Sequence, residues 1–502
     1  MAYTCVYSRA IWGVDAPLVR VEVHLAGGLP LFNLVGLPEV EVRESRDRVR
    51  SALNHCGFGF PVSRVTVHLA PAELPKHSSR YDLPIAIGIL AASRHLPSEF
   101  LEEWEFAGEL GLSGHLRAIQ GALPMAAAVR RAGRRLMIAQ ASANEACHGY
   151  AEGVYGALHL RQVWAHLIGE KVMMPHAKPV TQMATTDDVW DLSDVLGQGQ
   201  AKRALEVAAS GRHHLLMVGP PGVGKSLLAR CLPGICPPME EHEALQLAAI
   251  RAAHGESVDP RYWCLRPFRQ PHHSITIAAM MGGGHGTHLY PGEVSLSHCG
   301  TLHLDEVGEF PVHLLDMLRE PMETGQIAVS RSAHKVVYPA GFQLVGTMNP
   351  CPCGYRGHPS LGCRCSPAQL ERYLRRLSGP LLDRIDLQVE LPSLAGQDWL
   401  VQGQSEDSAT VRRRVGVAWQ RQLQRQGVSN DRLGRQLLQH HAPLTSGASM
   451  LIQRATERFE LSLRAVHRIW RVARTIADLA GEEVIGESVL AEALCYRTGF
   501  LN

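Results

Sequence analysis

Three short apolar runs, each ending in polar groups suited to a polyphosphate, predict an α/β fold built on an open sheet. The first, Leu215–Val218, runs into the glycine-rich octet 219–226 and then into a helix-like stretch from Leu227 to Arg230. The second, Thr301–Leu304, ends in Asp305-Glu306, and the third, from Phe342 to Met348, delivers Asn349. Ligands of such sheets gather at the carboxyl ends of the strands, which is where all three runs place their polar residues.

At 502 residues the chain exceeds a single core and predicts two to four domains. Its 50 basic and 48 acidic side chains nearly balance, so net charge argues neither for nor against nucleic acid. No stretch has the apolar length of a membrane span, and Met1 to Cys5 lack a charged or apolar leader, so a cytoplasmic location is expected. The twelve cysteines are then expected to be reduced.

Residues 1–168 alternate apolar runs with helical stretches, as a mixed α/β domain should. Val65 to Ala70 reads as a strand and Leu83 to Ala92 as an apolar helix. Residues 169–190 read as a linker and 191–395 hold the nucleotide chemistry. From 396 to 502, past the polar stretch Gln402 to Ser408, the chain reads as helical. Val411, Val415, Trp419 and Leu423 form one apolar stripe, with Arg412, Arg413, Arg421 and Arg425 off it.

The octet Gly219, Pro220, Pro221, Gly222, Val223, Gly224, Lys225 and Ser226 is a complete phosphate loop between strand and helix. Its backbone N–H groups can face a polyphosphate at a helix N-terminus. Lys225 then reaches the β and γ phosphates, and the Ser226 hydroxyl with Asp305 ligates Mg²⁺. Glu306 reads as the general base that polarises water, and Asn349 as a neutral amide that orients it. ATP and Mg²⁺ are the expected substrate and cofactor.

Cys351, Cys353, Cys363 and Cys365 place four thiols within 15 residues, a pattern that can close a tetrahedral Zn²⁺ site behind Asn349. The other eight cysteines read as packing. Gln326 to Tyr338 alternates around a polar turn as a hairpin does, with Arg331, His334 and Lys335 at its tip. These three side chains and the Arg266 to Ser274 segment are two basic candidates for a partner contact, against the plain alternative of a solvated hairpin.

The order of phosphate loop, Asp-Glu strand, Asn-ending strand and Leu381-Leu382-Asp383-Arg384 resembles that of AAA+ ATPases, as does Asp194 to Gln198 before the first helix. More narrowly, Arg266 to Ser274, the glycines 282–284, Pro291-Gly292-Glu293 and Asn349 to Gly354 resemble the magnesium-chelatase-like ComM/YifB family. The likeness extends to Arg464 to Arg468 and Ala473 to Asp478, nearly the whole chain. It implies an AAA+ P-loop ATPase core with an α-helical lid. Arg384 is implied as an arginine finger acting in trans within a homo-hexameric ring. Arg464 is implied as a second sensor touching the γ-phosphate from the lid, and the 326–338 hairpin as a pore loop. Its basic tip and the Arg266 to Ser274 segment are then the implied contacts to DNA phosphates. The implied activity is helicase and branch migration on single-stranded or branched DNA in natural transformation, with recombination proteins as partners. A protein-remodelling or chelatase-type ATPase is the alternative.

The N-terminal region resembles the proteolytic domain of Lon, a ribosomal protein S5-like fold, through Leu69 to Lys76, Gly108 to Gly114 and Ile119 to Gly121. Arg80 and Leu123 stand where such enzymes carry serine and lysine, so no Ser–Lys dyad can form there and no peptidase is expected.

Overall fold

The computed structural model describes residues 2–36, 42, 44–74, 76, 78–177, 190–256, 259–285, 288–331, 334–358, 361–393 and 406–498. Most of the 169–190 linker and the boundary at 395–396 lie outside the described residues.

The first unit is a sheet of seven strands in the order β3-β4-β2-β1-β5-β6-β7. These are β1 (Ala2–Arg9), β2 (Leu18–Ala26), β3 (Leu31–Val35), β4 (Arg64–Ala70), β5 (Trp104–Ala107), β6 (Arg135–Ala139) and β7 (Val154–Ala157). Alternation shows in β2 and β4: β2 turns Val19, Val21 and Val23 inward, and β4 does the same with Val65, Val67 and Leu69, whereas the edge strand β3 has no fully buried residue. Helix α1 (Asp82–Ala92) is buried along its whole length and crosses β1 and β2, so it lacks a polar face.

The second sheet has five strands, all parallel, in the order β9-β12-β15-β8-β16. They are β8 (Leu215–Val218), β9 (Phe268–Arg269), β12 (Thr301–Leu304), β15 (Gln343–Met348) and β16 (Leu387–Glu390). β8, β12 and β15 are buried at every residue, the reason they read as unbroken apolar runs. Helix α4 (Gly199–Gly211) leads into β8 and α5 (Lys225–Ile235) leaves it. Two hairpins project from this core and pack on each other: β10 (Gly282–His285) with β11 (His288–Pro291), and β13 (Gln326–Arg331) with β14 (His334–Pro339).

Helices α2 (Ala122–Arg131) and α3 (Gln140–Gly149) of the first unit face α6 (Glu241–His254) and its surroundings in the second. His148 stacks on Trp263 with ring centroids 4.5 Å apart. Gly13, at φ +62°, lies so close to β14 that a Cβ there would meet Val336 at 2.5 Å. The turn between β1 and β2 therefore packs against the middle of the second hairpin.

Behind the core lie α8 (Ser408–Gln426) and α9 (Leu463–Ala480). Val411, Val415 and Trp419 are buried in the expected stripe, but Leu423 is only half-buried and Gln422 is fully buried in its place. Gln422 donates to Ser210 O (2.9 Å) and accepts from Asn430 N–H (2.9 Å), so a satisfied amide takes the core position. Among the described residues no helix is long and apolar enough to cross a membrane.

Candidate active site

The phosphate loop bends as its glycines allow. Gly222 and Gly224 sit at φ +81° and +90°, and a Cβ on Gly219 would lie 2.6 Å from Leu391 O. Lys225 is buried within the loop, where its ammonium donates to Gly219 O and Pro220 O (2.7 Å each) and to Asn349 Oδ1 (3.1 Å). Burial pulls the ammonium down to about 8, against the opposing pull of Asp305 and Glu306. Gln198 adds a contact that sequence reasoning missed: its Nε2 donates to Val223 O (3.5 Å) and Pro392 O (3.0 Å), tying α4 to the loop.

β12 brings Asp305 alongside. Ser226 Oγ donates to Asp305 Oδ1 at 2.8 Å, so the two groups expected to hold Mg²⁺ already share one point in space. Gln270 Nε2 approaches Asp305 Oδ2 at 3.5 Å. Asp305 is held below the usual carboxylate range because the Thr347 and Ser226 hydroxyls donate to it, overcoming the upward push of burial. Under it lies His303, fully buried and stacked on Phe268. Its Nδ1 donates to Val345 O (3.1 Å) and its Nε2 stands 3.9 Å from Asp305; burial holds the ring neutral.

Glu306 is exposed, and its backbone is left-handed at φ +53°. A non-glycine residue there is strained unless held. The holder is Thr347 on β15, which accepts from Glu306 N–H (3.1 Å) and donates to Asp305 Oδ1 (2.5 Å). Thr347 is fully buried, one hydroxyl bridging both acids. In the sequence it shows only as a polar residue inside an apolar run, which was the available signal.

Arg384 is nearly buried, at 6% exposed; its Nε donates to Arg319 O (3.1 Å), Nη1 to Pro380 O (2.6 Å), and Nη2 pairs with Glu323 at 2.8 Å. Arg464 also lies elsewhere than the lid contact implies. Its Nη2 is 3.5 Å from Glu323, and it lines a cavity of about 810 Å³ shared with His214 and Phe342. Those two residues precede β8 and β15, so Arg464 stands at the amino edge of the sheet, opposite its own phosphate loop.

The four thiols converge. Cys351 Sγ lies 3.3 Å from Cys353 and 3.6 Å from Cys363, and all four sulfurs fall within 4.8 Å of one another. Four sulfurs about 2.3 Å from a central Zn²⁺ would be about 3.8 Å apart, so the donor set fits. Of the remaining cysteines, Cys495 is exposed and is not a packing residue.

Ile327, Val329, Val336 and Tyr338 turn into the core, leaving Arg331 and Lys335 exposed at the end of the hairpin. Ser332 and Ala333, and the His334 side chain, lie outside the described residues. Arg331 donates to Gly284 O of the neighbouring hairpin, a carbonyl contact that leaves its charge unneutralised. Sequence reasoning missed β10 as a strand because three glycines carry no alternation. The glycines are there for contact: a Cβ on Gly282 would meet Val329 at 2.8 Å. The Arg266 to Ser274 segment fares worse as a DNA contact. Arg266 is spent on Glu243, Pro237 O and Cys299 O, and Arg269 forms a bidentate pair with Glu293 (2.6 and 2.7 Å). In the first unit Arg80 and Leu123 are both buried.

A parallel sheet with Asp305 and Glu306 ending the strand next but one to the phosphate loop, backed by helices, defines the class: an AAA+ ATPase. Family models agree. That of magnesium chelatase, subunit ChlI, matches residues 191–399; that of subunit ChlI of Mg-chelatase matches 21–142; and that of the ChlI C-terminal part matches 405–497. The uncharacterized protein YifB of Salmonella typhimurium is 46% identical over 99% of this chain and 97% of its own length. Competence protein ComM of Haemophilus influenzae is 45% identical over 99% and 98%. The magnesium-chelatase 38 kDa subunit of Acidiphilium rubrum is 28% identical over 40% of this chain and 52% of its own. The chain belongs to the ComM/YifB family of magnesium-chelatase-like AAA+ ATPases.

Proposed function

We propose that this ATPase is a DNA motor: a homo-hexameric ring that hydrolyses ATP to separate strands and migrate branches, as suits a protein similar to one named for competence. The observation that carries the reading is the stacked pair of hairpins rooted on the ATPase core, with Arg331 and Lys335 exposed at the end of one. Basic tips of this kind meet phosphates without reading sequence.

In this reading the loop N–H groups and Lys225 hold the triphosphate. Ser226 and Asp305 would hold Mg²⁺, which supplies charge compensation on the phosphates when bound. Glu306 takes a proton from the attacking water, Asn349 orients that water, and Arg384 from the next subunit meets charge developing at the γ-phosphate. Arg464 joins it in trans. A Zn²⁺ held by Cys351, Cys353, Cys363 and Cys365 would brace the loop that follows Asn349. The N-terminal unit serves as a Lon-like scaffold without peptidase chemistry.

The test is ATP hydrolysis with and without single-stranded and branched DNA, against a protein substrate. DNA stimulation is expected. In Arg331→Ala/Lys335→Ala, unwinding should be lost, basal hydrolysis should survive, and the log–log salt slope of DNA binding should flatten by about one per lost phosphate contact. Stimulation by the protein substrate alone would favour the remodelling reading. Unchanged unwinding and slope in the double variant would remove the hairpin from the grip.

A further inference from the structure

The cavity at the amino edge of the core sheet lies apart from the chain's own phosphate loop and is lined by five arginines. These are Arg212, Arg432, Arg464, Arg468 and Arg471, with Glu323 and Asp431 beside them. Arg212 is paired with Glu243 and Arg468 with Asp386 behind it, and burial holds the lining His214 and His298 neutral. Arg464, Arg468 and Arg471 fall on one face of α9, at helical spacing. Arg468 is nearly buried; its Nη1 donates to Asp386 Oδ1 (2.7 Å) and Arg384 O (2.8 Å), while its Nε has no hydrogen-bond partner among the described residues. Among the described residues Arg432 and Arg471 form no ion pair and Arg464 shares its carboxylate with Arg384, so the lining keeps a basic excess that suits an anion.

Glu323 stands at the mouth of this arrangement. One oxygen, Oε1, serves both Arg384 (2.8 Å) and Arg464 (3.5 Å). Glu323 lies in helix α7 (Arg319–Thr324), whose first residue gives its carbonyl to Arg384 Nε at 3.1 Å. Arg384 thus grips both ends of α7. The helix runs directly into the second hairpin: Gly325, at φ +66°, turns the chain into β13, and its carbonyl accepts from Ala340 N–H (2.7 Å) to close the hairpin root. A shift of Arg384 breaks both of its contacts to α7, the helix that leads into the hairpin.

We infer that Glu323 is a latch: it holds Arg384 and Arg464 together in the unengaged subunit, and the triphosphate bound to a second copy of this chain displaces it, passing the movement through α7 to the hairpin. This rests on the reading that both arginines act in trans. The physical reason is competition. A half-exposed single carboxylate and a triphosphate vie for the same two guanidiniums, and the triphosphate brings the larger charge. The latch holds the unengaged state down in energy and so slows basal turnover. It also makes turnover answer to what the hairpin touches.

The test uses the full chain with ATP, Mg²⁺ and a single-stranded oligonucleotide. Glu323→Gln should raise the DNA-free hydrolysis rate by about fivefold, the scale of one half-buried ion pair. It should also bring the ratio of DNA-stimulated to DNA-free rate close to one. Glu323→Asp keeps the charge but withdraws it by a methylene; it should show both changes in smaller measure and serves where the amide variant does not fold. A rate and ratio equal to wild type, or a fall in the DNA-free rate, would overturn the latch. A mixture of Arg384→Ala with Lys225→Ala separates the two levels, since each variant spares one side of an interface. If the mixture recovers turnover while Glu323→Gln changes nothing, the latch alone fails. If no mixture recovers turnover, the trans reading fails and the latch with it.

Discussion

Thr347→Val removes a single hydroxyl from a fully buried site and leaves its shape nearly intact. In the native chain that hydroxyl donates to Asp305 at 2.5 Å and accepts from the N–H of Glu306, whose backbone is left-handed at φ +53°. A hydrogen bond to a charged group contributes about 1.5–3 kcal/mol. The left-handed backbone costs about 1–3 kcal/mol unless its surroundings hold it. Without the bridge, Glu306 loses the contact that holds the backbone from which, in the proposed function, it acts on water. A loss of about 1.4–2.7 kcal/mol at the transition state lowers kcat by roughly 10- to 100-fold. Lys225 and the loop N–H groups are untouched, so ATP affinity should stay within about threefold of wild type, under ~0.7 kcal/mol. Steady-state hydrolysis separates kcat from KM, and direct titration with a fluorescent ATP analogue checks binding. Thr347→Ser restores the hydroxyl and should recover most of kcat. The reasoning is refuted if Thr347→Val turns over like wild type, or if the serine variant is as impaired as the valine variant.

Further outcomes follow from the same geometry. Glu306→Gln should bind ATP and lose turnover by about 10²-fold or more, because the base goes while Lys225, Ser226 and Asp305 remain; single-turnover hydrolysis at an undiminished rate would refute its role. ATP affinity should be flat below about pH 8 and weaken above it. Lys225 is depressed to about 8 without nucleotide and raised by the phosphates, so binding takes up a proton only above that value; affinity independent of pH from 7 to 9.5 would contradict this. Elemental analysis should find about one zinc per chain, lost in Cys363→Ser/Cys365→Ser with a drop in melting temperature; a folded, active, metal-free protein would exclude the site.

The sequence by itself carried whatever lies within a short stretch of chain. The phosphate loop is legible because eight consecutive residues build it, and its flanking strand and helix are local too. The strands ending in Asp305 and Asn349 are legible because parallel strands buried on both faces need unbroken apolar runs. Tertiary structure decided everything that depends on which distant segments meet. Thr347 serves two acids only because β15 pairs with β12. Arg384, Arg464 and Glu323 share one carboxylate oxygen across 141 residues of chain, and no local pattern encodes that meeting. The glycine strand β10 was invisible because its function is to let another hairpin approach, and a missing side chain leaves no periodicity to read. Arg266 and Arg269 looked like free cations in the sequence; the fold set carboxylates beside them, and only then did charge that seemed available for DNA become structural.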